Sequence, residues 1–417
     1  MIVIEKIVKL DKTPTKRSKK RDMILAQAAV LFNERGPRAT TLSDVTTALG
    51  MTKSSLYYYV KSKDDLAYQC FLESCERLKA LVEHAASHCA EGQFLQTLFT
   101  SFIEEWHGVL RGEKLVFAIL NQIKSLKGDM RKDIEDRYTG LVVAIRDKLN
   151  EESQNNLIYV PDTLATAHAF FSTMQWIATW YKPSMRDEAL KASTDILTTG
   201  MVPNGHNVED AILAYIRKTK PFVIERRNTS QEKQEVFIRR AIKLFNDKGY
   251  RATSLDEISQ SLSVTKGAFY HHWDNKEELL YRCFDYSFQM FDILIKKVQA
   301  TNESGMRQLY MLLMNLYATQ NIGDGPIIRS DLMMAVDPKR QKQLSKKYKL
   351  MSDQIGAIIE RGMLDKSIRG ISVDIVKNML MGIIYAGDEY GRWRPIENIE
   401  ESAALYMRFL TRGVQVR

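Results

Sequence analysis

Apolar residues near the start of the chain recur every three to four positions. They stand at i, i+4, i+7 and i+8, as Ile24, Ala28, Leu31 and Phe32. This spacing predicts an amphipathic helix. Gly36 marks its end, because glycine readily adopts the left-handed conformation that closes a helix. A second helix capped by Thr41 and a third after residues 50–52 form two short helices joined by a tight turn, which is typical of a helix-turn-helix.

The same pattern occurs a second time further along the chain. Residues 23–71 align without a gap on residues 236–284, at a constant offset of 213 positions. Both copies contain Leu-Phe-Asn, Gly-x-Arg-Ala-Thr, Thr-Lys and Tyr-x-Cys-Phe at equivalent places. Residues 180–183 and residues 392–395 show a weaker similarity, at an offset of 212. The chain therefore contains a unit of about 200 residues twice.

Long helical patterns follow each copy, and no segment shows the alternation of a strand. We therefore expect an all-α protein of two tandem units, each with a helix-turn-helix domain followed by a larger helical domain. The expected boundaries are a basic leader at 1–20, helix-turn-helix domains at 21–71 and 234–284, larger helical domains at 72–217 and 285–417, and a linker at 218–233.

The composition restricts the class of protein. Hydrophobic residues make up 45% of the 417 residues and charged residues 27%, with nine prolines and 21 glycines, which excludes collagen and extended disorder. No apolar run reaches the roughly 18 residues that a membrane helix needs. Residues 1–10 carry charge where a secretory signal needs an apolar stretch. We expect a folded, soluble, cytoplasmic protein without a membrane partner.

Four cysteines occur without a Cys-x-x-Cys pair or clustered histidines: Cys70, Cys75, Cys89 and Cys283. This pattern argues against a zinc site and against a disulfide-stapled scaffold. Cys70 and Cys283 occupy equivalent positions in the two copies, and we expect both to be buried structural thiols. No metal and no cofactor are expected.

The third helix of the first copy has two distinct faces. The helical period turns Leu56 inward, while Lys53, Ser54 and Tyr58 face outward. Small side chains at the front of a helix let it enter the major groove of DNA, where a lysine reaches guanine acceptors and hydroxyls reach several base edges. This face therefore predicts a DNA-reading helix.

The segments RATTLSDV, LGMTKSSLYYYVKSKDDL, RATSLDEI and VTKGAFYHHWDNKEEL resemble the DNA-binding domain of the TetR family of bacterial regulators. In the first copy the resemblance implies DNA contacts by Thr41, Ser43, Lys53, Ser54, Ser55, Tyr57, Tyr58, Tyr59 and Lys63. In the second copy it implies contacts by Ser254, Lys266, Gly267, Ala268, Tyr270, His271, His272 and Lys276. Phosphates would be held by Thr41, Tyr57, Tyr59, Lys63 and their counterparts. Bases would be faced by Lys53, Ser54, Ser55, Tyr58 and their counterparts.

Three features depart from that family. Asp256 replaces Ser43 close to the expected path of the DNA backbone, where a carboxylate would repel phosphate. Trp273 stands at the position of Val60, where the family has a smaller hydrophobic residue. The tandem arrangement is the third departure, because family members usually carry one unit and dimerise.

Two further patterns have more than one interpretation. His271 and His272 could suggest a metal pair, but adjacent helical residues point about 100° apart and no carboxylate is spaced to assist. Residues 16–21 carry five positive charges just before the first helix. They are either a solvated run or an arm that contacts DNA phosphates or the minor groove.

The larger helical domains contain no visible catalytic constellation, so we expect no enzyme. By the resemblance, these domains form a ligand pocket and a dimer interface. The endings of two helices look like those of a subgroup that senses acyl-CoA thioesters, and the candidate ligand-binding residues are Trp176, Trp180, Lys182, Trp393 and Arg394. Simple helix packing explains the same tryptophans, with Pro183 ending the helix.

We therefore expect a DNA-binding transcriptional regulator, bacterial and nucleoid-associated. It would be a repressor that a small apolar or acyl-CoA-like effector releases from operator DNA. The alternative is a ligand-sensing or protein-interaction module in which the second helix-turn-helix domain has lost DNA binding, as Asp256 suggests. Each helix-turn-helix domain is called a head below. The sequence leaves open whether one chain forms an intrachain pseudo-dimer or two chains form a homodimer.

Overall fold

The computed structural model describes residues 16–203, 229–250, 253–265, 267, 270, 272–321, 327–391, 393 and 395–416. Several sequence predictions lie outside the described residues. They concern residues 1–15 of the basic leader, residues 218–228 of the linker, and Lys266, Ala268, Phe269, His271 and Arg394.

The first repeat is a succession of helices. They are α1 (Lys16–Arg35), α2 (Leu42–Leu49), α3 (Lys53–Tyr57), α4 (Lys63–His88), α5 (Phe94–Arg111), α6 (Gly128–Gln154), α7 (Thr163–Trp180) and α8 (Arg186–Thr199). Short 3-10 helices cover Leu120–Ser125 and Pro183–Met185.

The second repeat follows the same order where it is described. Its helices are α9 (Thr229–Lys248), α10 (Leu255–Ser261), α11 (Lys276–Gln299), α12 (Gly305–Asn321), α13 (Pro338–Leu364), α14 (Val373–Tyr390) and α15 (Ile399–Arg412), with a 3-10 helix over Ser330–Ala335. Within the described residues the only extended pairing is an isolated bridge between Ile158 and Gln415. The predicted all-α, tandem architecture is confirmed.

The chain forms two compact units. Unit 1 contains the described residues of Met1–Ala167, Met174–Thr194 and Gln415–Arg417. Unit 2 contains the described residues of His168–Thr173 and Asp195–Val414. Each unit includes one helix-turn-helix and most of the larger helical domain that follows it.

The predicted apolar faces form the cores of the two heads. Ile24, Ala28 and Phe32 are buried in the first head, and Leu31 is half-buried. The equivalent residues of the second head are all buried: Phe237, Ala241, Leu244 and Phe245. Leu56 is fully buried, as its position on α3 predicts.

The equivalent cysteines make the same contact in both heads. The Cys70 Sγ lies 3.6 Å from the Leu25 carbonyl oxygen, and the Cys283 Sγ lies 3.7 Å from that of Ile238. Burial raises the pKa of both thiols well above the ordinary value. Both thiols therefore remain protonated near neutral pH and act as small packing groups, as predicted.

The turn of the helix-turn-helix has the same backbone in both heads but a different residue at its tightest point. Gly50 has φ 60° at the end of α2, and Met51 N donates to the Thr46 carbonyl at 2.9 Å. Ser263 takes the place of Gly50 with φ 57°, and Val264 N donates to the Ser259 carbonyl at 3.1 Å. A left-handed conformation is strained for a residue with a Cβ atom. The second head therefore carries strain that the first avoids.

We expect Ser263→Gly to stabilise unit 2 by about 0.5–1 kcal/mol, because relief of the strain exceeds the extra entropy of an unfolded glycine. The matched change, Gly50→Ser, should destabilise unit 1 by a similar amount. A Cβ at Gly50 would meet nothing within 4 Å, so the effect there is conformational and not steric. Urea unfolding of the full chain measures both, and a loss of stability in Ser263→Gly would contradict the strain.

Candidate nucleic-acid interface

Helix α3 presents an exposed polar and aromatic face at the front of the first head. Lys53 and Ser54 are exposed in its first turn, and Tyr58 is 63% exposed just after its end. Thr52 caps the helix by accepting a hydrogen bond from Ser55 N at 3.2 Å. The Thr52 and Ser55 hydroxyls lie 3.0 Å apart, so Ser55 supports the cap as well as bordering the exposed face.

Two tyrosines predicted to hold phosphates also lie at this end of the head. Tyr57 is 55% exposed on the last residue of α3, and Tyr59 is half-buried. The rings of Tyr58 and Tyr59 meet edge to face with centroids 5.3 Å apart. This pairing orients Tyr58 relative to the half-buried Tyr59, which favours a preorganised outer surface.

Thr41 is engaged in capping α2. Its hydroxyl donates to Asp44 Oδ2 at 2.9 Å and accepts from Asp44 N at 3.1 Å. The Thr41 backbone N–H also donates to Asp44 Oδ2 at 2.7 Å, and this bond lowers the pKa of Asp44. This reciprocal capping box fixes the start of α2. Phosphate binding by Thr41 stays a prediction, and the structure gives the residue a definite role in the fold.

Lys63 and Lys276 share an anchoring contact. Lys63 Nζ donates to the Arg38 carbonyl at 2.7 Å. Lys276 Nζ donates to the carbonyls of Tyr250 and Thr253 at 3.1 and 3.0 Å, and it lies 4.5 Å from the centre of the Tyr250 ring. Each lysine therefore ties the start of the long helix after the head to the loop before the second helix. An ammonium group has three donors, so this anchoring is compatible with a phosphate contact as well.

The second head has a different surface in its described part. Gly267 and Tyr270 are exposed, and Asp256 is exposed in the first turn of α10. Ser254 caps α10 by accepting from Glu257 N at 3.0 Å. A carboxylate in that first turn is favoured by the helix dipole, but it opposes a phosphate at the same place.

Trp273 and His272 pack on the core of the second head. Trp273 is 5% exposed, and its ring centre lies 5.5 Å from that of Phe237. The half-buried His272 ring lies 6.3 Å from the same phenyl ring. Trp273 therefore extends the core where the first head has the smaller, buried Val60. No group of three or more side chains suited to a metal ion occurs in the described part of the chain.

Each head is linked to the larger helical domain that follows it, its body, by a contact that was not predicted from the sequence. Asn33, on α1, donates from Nδ2 to the Phe117 carbonyl and accepts from Ile119 N, both at 2.9 Å. Asn246, on α9, makes the same two bonds to Ile327 O at 2.9 Å and Arg329 N at 3.1 Å. The signal that could have found it was the identity of Leu-Phe-Asn in both copies, because no helical pattern requires the asparagine.

The candidate ligand-binding residues are divided between the two units. Trp176 and Trp180 are half-buried on α7, and Lys182 is exposed just after it, all in unit 1. Trp393 is half-buried in unit 2, where its ring centre lies 5.4 Å from that of His168. Helix α7 ends at Trp180, and Pro183 begins the following 3-10 helix.

Two short, capped helices with an exposed polar face define a helix-turn-helix protein of the DNA-binding class. The sequence model of one family, described as bacterial regulatory proteins of the tetR family, matches the chain twice, at residues 24–70 and 237–283. The chain belongs to this family. None of the helices among the described residues is long and apolar enough to cross a membrane.

Three known proteins illustrate the similarity. The TetC protein of transposon Tn10 from Escherichia coli is 32% identical over 141 residues, which cover 33% of this chain and 70% of TetC. The negative transcriptional regulator IcaR of the icaADBC biofilm operon from Staphylococcus epidermidis is 41% identical over 64 residues, or 15% of this chain and 35% of IcaR. The crystal structure of PfmR from Thermus thermophilus is 22% identical, with a TM-score of 0.36, and covers 43% of this chain and 99% of PfmR.

Proposed function

We propose that this DNA-binding regulator is a repressor that grips operator DNA with two unlike heads and is released by a small effector. The observation that carries the proposal is the exposed face formed by Lys53 and Ser54 on the capped helix α3 and by Tyr58 just after its end. The small Ser54 permits close approach to the groove floor, and Lys53 supplies donors for guanine. Family membership and the likeness to a negative regulator support this proposal.

We further propose that the two repeats of one chain pair with each other. Unit 2 supports this, because it contains residues of the first repeat among those of the second. Within unit 2, Asp195 pairs with Arg369 at 2.7 Å and Val202 N donates to the Thr411 carbonyl at 3.0 Å. The rings of Phe170 and Phe409 meet with centroids 6.4 Å apart. One chain would then present two heads.

The effector proposal rests on unit 1. Trp106 is 2% exposed, and its Nε1, like that of Trp180, is buried without a hydrogen-bond acceptor among the described residues. An unsatisfied buried donor costs about 1–3 kcal/mol, which an acceptor on a bound ligand would offset. His107 Nδ1 and the buried Tyr181 hydroxyl, 2.7 Å apart, join α5 to the end of α7, where the Tyr181 ring centre lies 6.3 Å from that of Trp180. Lys182, which is exposed just after α7, would supply a cation for an acyl-CoA phosphate.

A ligand at Trp106 would act on the head through a short chain of contacts. The Trp106 ring meets the Phe117 ring edge to face, with centroids 5.4 Å apart. The carbonyl of the same Phe117 accepts the hydrogen bond of Asn33 on α1. A shift of Phe117 would therefore move α1 and its head, which changes the population of DNA-competent arrangements.

The alternative is that the second head has lost DNA binding and serves another interaction. The exposed Asp256 favours it, because a carboxylate in the first turn of α10 opposes phosphate. In that case the chain would protect one half-site and not two.

We expect Lys53→Ala to weaken binding to the cognate site by about 1–3 kcal/mol and to relax preference at one base pair, because a base contact is lost. The cognate site is obtained by selection from random duplexes and binding is measured by fluorescence anisotropy. Lys191→Ala, at an exposed lysine of α8, is the matched control and should leave affinity unchanged. Unaltered affinity of Lys53→Ala for the selected site would contradict the assignment of α3.

We expect one chain to bind a short operator with unlike half-sites, because Ser54 and Ser55 of one head are replaced by glycine and alanine in the other. Footprinting and the mass of the protein alone and on DNA measure this. A palindromic short site would overturn the intrachain pairing. Protection of one half-site only would favour the alternative function.

We expect an elongated acyl-CoA to raise the melting temperature of the chain and to release it from DNA. Binding that is confined to the folded state stabilises it by mass action. Trp106→Phe keeps an aromatic ring but removes the indole N–H, and should reduce the shift. No shift with any acyl-CoA chain length would reject this effector class and leave the DNA-binding proposal intact.

A further inference from the structure

The two repeats differ sharply in charge on one pair of equivalent helices. The first half of α13, residues 338–350, contains six basic residues and no acidic one. The first half of α6, residues 128–140, contains three basic and four acidic residues. The 3-10 helices and the long helices after them correspond at a constant offset of 210 positions, so the comparison is residue by residue. Of these two helices, only the one in the second repeat is basic.

Some of these cations are used within the fold. Arg340 pairs with Glu278 and Asp337, and Lys347 pairs with Asp285. Lys349 pairs with Asp353 at 2.6 Å. These contacts join α13 to α11 or lie along α13 itself, and they account for half of the basic residues.

Three lysines remain on the outer side of α13. Lys339, Lys342 and Lys346 are exposed and have no ion-pair partner among the described residues. They stand at i, i+3 and i+7, so they lie within about 60° of arc and about 10 Å along one helix face. The first repeat has Asp129, Lys132 and Asp136 at these positions, all exposed. We name the three lysines the α13 basic stripe.

The contacts of α13 place the stripe at the head end of unit 2. Asp337 N donates to Glu277 Oε1 at 2.9 Å, and Tyr281 and Gln343 are hydrogen-bonded at 3.3 Å. The residue numbers of the bonded partners increase in the same direction along both helices. Helices α11 and α13 therefore run parallel and begin side by side. Helix α11 starts within a few residues of Tyr270, on the exposed side of the second head. The stripe therefore begins beside the start of α11, where Lys276 is a predicted phosphate contact.

We infer that the α13 basic stripe binds the phosphate backbone of the duplex that flanks the second half-site. Closely spaced cations attract DNA because binding releases condensed counterions, and this attraction needs no particular base sequence. The stripe also lies on the repeat whose head offers fewer predicted contacts to DNA. The second head offers Gly267 and the exposed Asp256 where the first offers serines, so flanking phosphate contacts would restore grip on that side. This inference rests on the proposed function.

The test compares a duplex limited to the footprint of the two heads with one extended beyond the second half-site. We expect the wild-type chain to prefer the extended duplex. Lys339→Asp combined with Lys346→Asp installs the residues that the first repeat already carries at these positions, so the helix should tolerate them. We expect this double variant to lose roughly tenfold affinity for the extended duplex at low salt and to flatten the slope of log K against log salt by about two. Its affinity for the short duplex should change little.

A comparison of two single substitutions, each of which changes the net charge by the same amount, separates the effect of position from that of net charge. Lys346→Asp is compared with Lys366→Asp, which lies beyond the other end of α13, about 40 Å from Lys339 along the helix. Lys366 has φ 63°, a conformation that aspartate tolerates. We expect only Lys346→Asp to lower affinity for the extended duplex.

The outcomes distinguish failure of the flanking contact from failure of the proposed function. Equal binding of wild type and double variant to the extended duplex, or an equal loss in Lys366→Asp, overturns the flanking contact and leaves the DNA-binding proposal standing. A wild-type chain that binds neither selected nor random duplex overturns the proposed function, and this inference with it.

Discussion

One asparagine amide makes the same contact between the head and the following loop in both repeats. Asn33 and Asn246 each donate to one backbone carbonyl and accept from the N–H two residues later, so a single side chain holds a loop at two points. Asn246 is 2% exposed, and loss of such a buried partner leaves polar backbone groups unsatisfied. The loop leads into a 3-10 helix and then into the long helix of the body. The asparagine therefore connects the first helix of the head directly to the segment that leads into the body.

Around this shared geometry the two repeats have diverged in chemistry. The turn keeps the same left-handed backbone, although Ser263 replaces Gly50. The equivalent core position is buried in both heads, although Trp273 replaces Val60. The proposed pairing within one chain would permit such divergence, because neither half would then have to be complementary to an identical copy of itself. The charge of α13, which is basic in its first half where α6 carries both signs, is a further difference of this kind.

Several residues expected to hold DNA are also structural. Thr41 forms a capping box with Asp44, and Lys63 donates to a backbone carbonyl across the head. The fold therefore holds these groups in place before any ligand arrives, which lowers the entropy lost on binding. Changing either residue would alter head stability, which would obscure any direct effect on DNA affinity. Lys53 and Ser54, which are exposed, are better positions at which to test the proposed base contacts.

The sequence by itself determined the duplication, the all-α class and the inward face of each head, because these depend on a local period of 3.6 residues and on residue identity. Leu56 and Cys70 are buried as that period requires. Only the tertiary structure decided that Asn33 meets a loop 84 residues away, or that Lys339 and Lys346 lack the ion pairs that Lys347 makes. Those outcomes depend on which helices pack side by side and in what register, and no local pattern encodes that choice.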